Sequence, residues 1–382
     1  MKILHLCLAN FYIDNYTYQE NMLPRMNRED GHDVRILAST ETYVDNVHYG
    51  YVEPSEYVTE YGVPIKRLPY VKVGNSFVTH KFRAYPHLYE EIAAFAPDVI
   101  FCHELQFWSV QDVIRYKKEH PAVKLYADTH AAAYNSGTNW LSLHILHRVF
   151  YRSLVRKALP YLEKYFYIGE SEREFAMKHY GVPESLMEFY PLGGTLLSDE
   201  EYAAMRAKRR AELRLSENDR LYIHSGKLNA LKRTEELLRA FSTVDDPHAV
   251  LAVIGSIPED RKNDLLPLIE ADQRIRYLGW KTGDELQEYL CAADLYCQPG
   301  SVSATMQNAI CRNTPVMSYP HLPYTARLDY GQFFWVKTQA DMEHVFAQVK
   351  ADPALLVPMT ANSRRCAEEL LDYRKLAARL YK

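Results

Sequence analysis

The chain has 382 residues, 47% of them hydrophobic and 25% charged, with a formal net charge of −4. That length predicts two ordinary domains or one large one, the composition is that of a soluble globular protein, and the charge balance gives no footprint for nucleic acid. Six scattered cysteines form neither a CxxC nor a zinc-spaced cluster, and no run of eighteen apolar residues occurs. Buried free thiols, a cytoplasmic setting and no membrane span are the expectation.

Residues 2–9 are a continuous apolar run of β character, as a buried parallel strand requires, and not a signal peptide. A polar and aromatic loop, 10–16, leads into a helix, and Gly31-His-Asp closes it. Strands are expected at 34–38, 65–69, 99–103, 124–130, 165–168 and 188–190, separated by helical segments. Two of these strands end in a histidine, His103 and His130. Such alternation predicts a parallel sheet with helices on both faces.

A turn at 191–195 and a charged helix at 199–214 lead into a second round of the same pattern. Strands are expected at 221–225, 250–255, 275–278, 294–298 and 315–317, with residues 226–233 opening a helix after the first. The tail, 340–382, reads as helical with breaks near Pro353 and Pro358. The fold class expected is therefore α/β, two doubly wound Rossmann-like domains facing a cleft. The boundaries are 1–192 and 193–364, with 365–382 a helix returning toward the first. Ligands of such sheets bind outside the carboxyl ends of the strands.

The stretch 279–318 concentrates the signal. A short apolar strand ends in Pro299-Gly300, a loop of small polar residues follows at 301–305, and a helix begins. Loops of this kind hold phosphates on unpaired backbone N–H groups.

Ser225-Gly-Lys-Leu-Asn-Ala-Leu-Lys232, Leu251-Ala-Val-Ile-Gly255, the run from Ile275 to Pro299 and Asn313-Thr-Pro-Val316 occur in this order. Together they resemble the GT-B glycosyltransferases, above all the retaining group 4 family of bacterial polysaccharide synthesis. The resemblance implies two glutamates eight positions apart, one beside the donor sugar and one on the nucleotide ribose. Counted back from Pro315 those positions hold Gly300 and Asn308, so both carboxylates are absent. An asparagine amide still donates and accepts, which suits a ribose hydroxyl. Asn313 stands where the family has glycine, a conservative change for a left-handed residue. The loop 10–15 replaces the family's glycine pair.

Lys227 and Lys232, with Gly226 and Arg233 beside them, are the donor-phosphate candidates, because cations stabilise the charge that develops on a departing diphosphate. A solvated helix start is the bland alternative. The resemblance sets His130 against the donor sugar; His103 and Glu104 lie at the adjacent strand end, a satisfied structural role being the alternative for either histidine, and Glu20 is the base candidate of this half. Asn10, Asn15, Tyr16 and Tyr18 are acceptor-side candidates through hydrogen bonds to hydroxyls. Ser301, Ser303 and Thr305 offer hydroxyls and N–H groups, or simply cap the helix. Gln307 and Asn308 are polar positions in an otherwise apolar helix. Trp280 either stacks on the nucleotide base or packs at a rim. The basic amphipathic segment 140–162 is either a solvated domain face or a peripheral membrane contact.

The expected activity is a hexosyltransferase using a nucleotide-sugar donor and a saccharide or lipid-linked saccharide acceptor, with retention, in cell-surface polysaccharide synthesis. No cofactor and no metal are expected, since the chain carries no Asp-x-Asp motif. A sugar-nucleotide 2-epimerase of the same fold and a non-catalytic nucleotide-sugar-binding or scaffold subunit remain the alternatives.

Overall fold

The computed structural model describes residues 1–44, 48–137, 139–301, 303–320 and 325–382. The chain divides into two compact units, Met1–Pro191 with Tyr373–Lys382, and Leu192–Asp372.

Among the described residues the first unit carries ten strands: β1 (Lys2–Cys7), β2 (Asp33–Ser39), β3 (Glu41–Tyr43), β4 (Tyr49–Tyr51), β5 (Ser55–Val58), β6 (Pro64–Leu68), β7 (Val99–Cys102), β8 (Lys124–Thr129), β9 (Lys164–Tyr167) and β10 (Met187–Phe189). Eight form one sheet in the order β10-β9-β8-β7-β1-β2-β6-β5, parallel throughout except for β5 against β6, and β3 pairs with β4 in a separate antiparallel ribbon. Strand β1 shows why the sheet is buried on both faces. Leu4 and Leu6 join the cluster under helices Val110–Glu119 and Arg152–Ala158. Ile3 and Cys7 join the opposite cluster, under helix Gln19–Glu29 and the tail helix Tyr373–Ala378. The tail is tied down by Tyr190 Oη donating to the Leu376 carbonyl (2.7 Å) and by Arg374 against Glu29 and Asp30.

The second unit carries β11 (Arg220–Lys227), β12 (Ala249–Ser256), β13 (Ile275–Gly279), β14 (Leu295–Gln298), β15 (Val316–Ser318) and β16 (Phe333–Trp335). They make an all-parallel sheet in the order β13-β12-β11-β14-β15-β16. The fold is α/β in both units, as the alternation predicts. The sequence expectation contains no counterpart of β3, β4, β5 or β16, which have three or four residues each and carry almost no period-two signal.

One boundary moves in a way that matters. Residues 226–233 do not open a helix. Gly226 and Lys227 continue β11, paired with Gly255 and Ser256, and a 3-10 turn at Ala230–Lys232 precedes the helix Thr234–Thr243. All six cysteines are buried and free. Among the described residues no helix is long and apolar enough to cross a membrane, and no group of His, Cys, Asp or Glu is arranged to hold a metal ion.

Candidate functional site

Each sheet has one point where the strand order reverses. In the first unit it lies between β1 and β7, because the chain runs outward through β2 and β6 before returning to β7. In the second it lies between β11 and β14. Loops at such a point diverge and leave a crevice outside the carboxyl ends of the strands. Many of the residues singled out from sequence lie at these two places, but Trp280 follows the edge strand β13.

In the first unit, β7 and β8 deliver His103 and His130 beside the loop after β1. Asp128 lies two residues before His130 on a strand, so both side chains share a face. Asp128 Oδ2 is 3.3 Å from His103 Nδ1 and 3.4 Å from His130 Nε2. His103 Nε2 meets His5 Nδ1 at 3.1 Å, and His5 Nε2 meets Asn27 Oδ1 at 2.8 Å. Glu104, in a left-handed conformation with φ 66°, donates its backbone N–H to Asp128 Oδ1 (2.9 Å) and accepts the His130 N–H on Oε1 (2.9 Å). Asn10 Nδ2 donates to Glu20 Oε1, which lies 3.9 Å from His130 Nε2.

The electrostatics follow from burial and pairing. Asp128 and His103 are fully buried, while the His130 side chain keeps 20% exposure. Burial alone would strip the His130 proton, but Asp128, Glu20 and Glu104 outweigh it and lift its pKa to about 10. Burial would likewise neutralise Asp128, yet His130 and His103 hold its carboxyl well below the usual range. Burial and the neighbouring His103 push His5 down to about 3. The cluster therefore carries one firmly protonated histidine at its exposed end and a neutral one at its dry end.

Asn10, Glu104 and His130 line a cavity of about 840 Å³ that lies wholly within this unit. Asn15 and Tyr18 are exposed instead, and Asn15 is left-handed (φ 62°). Tyr16 and Tyr18 pack on each other at 5.0 Å, in a cluster that continues to Tyr43, Phe11 and Tyr49. Sequence reasoning missed Asp128 as the partner of His130 and His5 as the partner of His103, although Asp-x-His at a strand end is the signal that finds Asp128.

In the second unit, the loops after β11 and β14 are joined backbone to backbone. Ser301 N–H donates to the Leu231 carbonyl at 2.8 Å. Lys232 Nζ and Gln298 Nε2 both donate to the Ser301 carbonyl at 3.1 Å. Lys232 is buried, which lowers its pKa, whereas Lys227 is exposed at the end of β11. Arg233 is spent on structure: its guanidinium donates to the carbonyls of Pro299 (3.3 Å) and Lys337 (3.0 Å) and pairs with Glu236.

Gly300 has no room for a side chain. A Cβ there would stand 2.1 Å from the Leu231 carbonyl oxygen and 2.8 Å from Lys232 Cα. Gly226, with φ 131°, passes close to Lys232 Cε. Ser303 precedes the helix Ala304–Cys311 but does not cap it; its hydroxyl donates to Gln298 Oε1 at 3.0 Å. Thr305 sits in the first turn of that helix, close to the buried Tyr296 hydroxyl. Gln307 is fully buried, and Asn308 turns its Oδ1 toward Gly194. Asn313 is left-handed, φ 59°, as its replacement of a glycine requires. Trp280 follows Gly279 at the end of β13 and is 67% exposed, so the packed-rim reading does not describe it. Val302 of the 301–305 loop lies outside the described residues.

The segment 140–162 forms a π-helix, Ser142–Tyr151, continued by helix Arg152–Ala158. Arg148 and Arg152 turn toward His179 and the backbone of residues 178–179, and the side chains left to solvent include Trp140, Leu141, Ile145 and Val149. Arg156 and Lys157 are exposed as well, so the outer face carries both apolar and basic side chains.

Residues 205–362 match the model of the family described as Glycosyl transferases group 1. Among solved structures, the Anabaena protein HepE in complex with UDP and glucose is 14% identical, with 99% of this chain and 98% of that one covered and a TM-score of 0.63. Sucrose-phosphate synthase from Thermosynechococcus elongatus is 14% identical, with 99% and 97% covered and a TM-score of 0.65. WaaG, a glycosyltransferase involved in lipopolysaccharide biosynthesis, is 15% identical, with 99% of each chain covered and a TM-score of 0.59. No curated protein matches the chain. The fold is GT-B, and the matched domain, which contains the whole of the second site, supports a glycosyltransferase.

Proposed function

We propose that this protein transfers a hexose from a nucleotide-sugar to a saccharide or lipid-linked saccharide acceptor, with retention of configuration, in cell-surface polysaccharide assembly. The single observation that carries the reading is the joined pair of loops at the β11–β14 reversal, with the Ser301 N–H on the Leu231 carbonyl, Lys227 exposed at the end of β11 and helix Ala304–Cys311 beginning after β14. The donor diphosphate lies there, against Lys227, the backbone N–H groups and the helix N terminus. Lys232 holds the loop in place through the Ser301 carbonyl rather than meeting the phosphate directly. Trp280 stacks on the base, and Asn308 hydrogen-bonds a ribose hydroxyl.

The acceptor occupies the cavity of the first unit. His130 stays protonated at neutral pH, so in the cavity of the first unit it donates a hydrogen bond to a sugar hydroxyl and does not act as a base. With no carboxylate at position 300, the leaving phosphate accepts the acceptor's proton as the new bond forms on the same face. Lys227 and the helix N terminus supply the positive charge, and no metal is assigned to the step. The protein acts in the cytoplasm, and the exposed apolar face of residues 140–162 rests on the inner membrane surface.

Titration calorimetry with UDP and GDP tests the reading, since a protein that binds neither is not a nucleotide-sugar enzyme of this kind. The absence of carboxylates at 300 and 308 favours one rival, a non-catalytic nucleotide-sugar-binding subunit. Nucleotide binding without any hydrolysis or transfer from UDP- and GDP-sugars would establish that rival.

A further inference from the structure

Three neighbouring strands of the first sheet each bring one polar side chain into the buried core. His5 alternates with Ile3 and Cys7 on β1, His103 follows β7, and Asp128 lies on β8. Helix Gln19–Glu29 adds Asn27, and all four side chains are fully buried. Polar groups so placed cost stability unless each is bonded. They form one chain. It starts at the Ala377 carbonyl of the tail helix, 3.5 Å from Asn27 Nδ2, and passes through His5 and His103 to Asp128 and His130. Its far end is a carbonyl in the core, so it offers a proton no outlet. Such a chain holds groups in place and does not conduct.

Hydrogen-bond direction fixes the part each ring plays. The Ala377 carbonyl only accepts, so Asn27 turns its amide nitrogen to it and its Oδ1 to His5. His5 therefore donates from Nε2; burial keeps the ring neutral, and its Nδ1 accepts. Asp128 is held ionised and also only accepts. His103 thus lies between two acceptors and has to donate from both nitrogens, from Nε2 to His5 at 3.1 Å and from Nδ1 to Asp128 at 3.3 Å. Asp128 is fastened in turn. Its Oδ1 takes the Glu104 N–H, and its Oδ2 takes His103 and, at 3.4 Å, His130 Nε2. Glu20 lies 3.9 Å from the same Nε2, so this nitrogen of His130 is spent on the protein. Among the described residues no hydrogen bond or ion pair reaches His130 Nδ1, and His130 lines the cavity.

We propose that Asn27, His5 and His103 are positioning residues for His130, holding its Nε2 inward on Asp128 so that Nδ1–H is the hydrogen offered to the substrate. The substrate part rests on the sugar-binding role given to this cavity above.

Long-range 1H–15N NMR on the full chain reads each ring nitrogen. In the free protein at neutral pH, His5 is expected to carry its hydrogen on Nε2 alone, and His103 and His130 to be protonated on both nitrogens. Asn27→Leu removes the end of the chain. His5 then moves its hydrogen to Nδ1 and donates to His103, which gives up its own Nε2 hydrogen. The His130 midpoint rises, because Asp128 is no longer shared with a second charged ring. Ile3→Val, a packing change in the same core, leaves all three rings as in the wild type; thermal melting confirms that each variant folds. Methyl glucoside titrated into the wild type should move the His130 Nδ1 signal and leave Nε2 in place. His130→Asn sets an amide nitrogen near the Nδ1 position and keeps most of the sugar affinity; His130→Gln sets one near Nε2 and loses about tenfold. A His103 ring with one hydrogen in the wild type, or an Asn27→Leu protein with the wild-type pattern, overturns the chain. A sugar-dependent shift at Nε2, or affinity kept by His130→Gln and lost by His130→Asn, overturns the Nδ1 assignment. If the free rings behave as expected and the sugar moves neither nitrogen of His130, the positioning chain holds and the saccharide reading of the cavity fails.

Discussion

Gly300 and Leu231 touch backbone to backbone: a Cβ on Gly300 would lie 2.1 Å from the Leu231 carbonyl oxygen. The next residue, Ser301, donates its N–H to that same carbonyl at 2.8 Å. The carboxylate that the family resemblance implies at this position is therefore sterically excluded, and the loop is built around its absence.

Gly300→Glu should damage the protein rather than restore a catalytic acid. Backbone, not a flexible side chain, meets the new atom, so the loops must separate; overpacking of this kind costs about 1–3 kcal/mol. Urea denaturation of the wild type and of Gly300→Ala and Gly300→Glu measures it. Unchanged stability in Gly300→Ala would show that the two loops are not held as described.

Lys227 and Lys232 should separate in their effects. Lys227 is exposed, so Lys227→Ala leaves the melting temperature unchanged and weakens UDP or GDP binding by about tenfold, the loss of one charged hydrogen bond. Lys232 is buried on the Ser301 carbonyl, so Lys232→Met lowers both melting temperature and affinity. Calorimetry and differential scanning on the same preparations decide it, and equal behaviour of the two variants would contradict the division of roles.

Trp280→Ala isolates the base contact. The side chain is 67% exposed and its loss should shift stability by less than about 0.5 kcal/mol. Nucleotide affinity should fall by roughly 1–3 kcal/mol, the usual range for an aromatic stacked on a base. An affinity equal to wild type removes Trp280 from the site.

His130 should titrate near 10 by NMR, and Asp128→Asn should bring that value down, because burial persists while the largest opposing charge is gone. The folded value lies above the unfolded one of about 6.5. The pairing thus stabilises the fold fully below about pH 6.5 and loses that contribution as pH rises toward 10. Stability measured between pH 6 and 10 should decline in the wild type and do so less in Asp128→Asn. A His130 midpoint near its ordinary value would overturn the protonated-donor role.

Much of this molecule was readable along the chain. Apolar runs such as 2–7 and 250–254 have the composition of strands buried on both faces, and their alternation with helices leaves a parallel sheet as the consistent arrangement. Strand ends then placed His103, His130 and Trp280 at the carboxyl edges of the sheets, whereas Lys227, expected in a helix start, continues β11. Asn313 shows the same legibility at one residue, since a glycine position filled by asparagine implies the left-handed backbone it has.

The sequence by itself determined the two sheets and the identity of the strand-end residues, because periodicity and composition are local properties. Tertiary structure alone decided what those residues do. Arg233, a donor-phosphate candidate by position, donates to two carbonyls; Ser303, a donor-side hydroxyl or a helix cap by sequence, bonds Gln298 and does not cap. The crowding at Gly300 comes from a chain segment almost seventy positions earlier, and His130 meets a cavity assembled from residues 9–151. Contacts of that span depend on how distant segments close on one another in space, and no window of neighbouring residues encodes them.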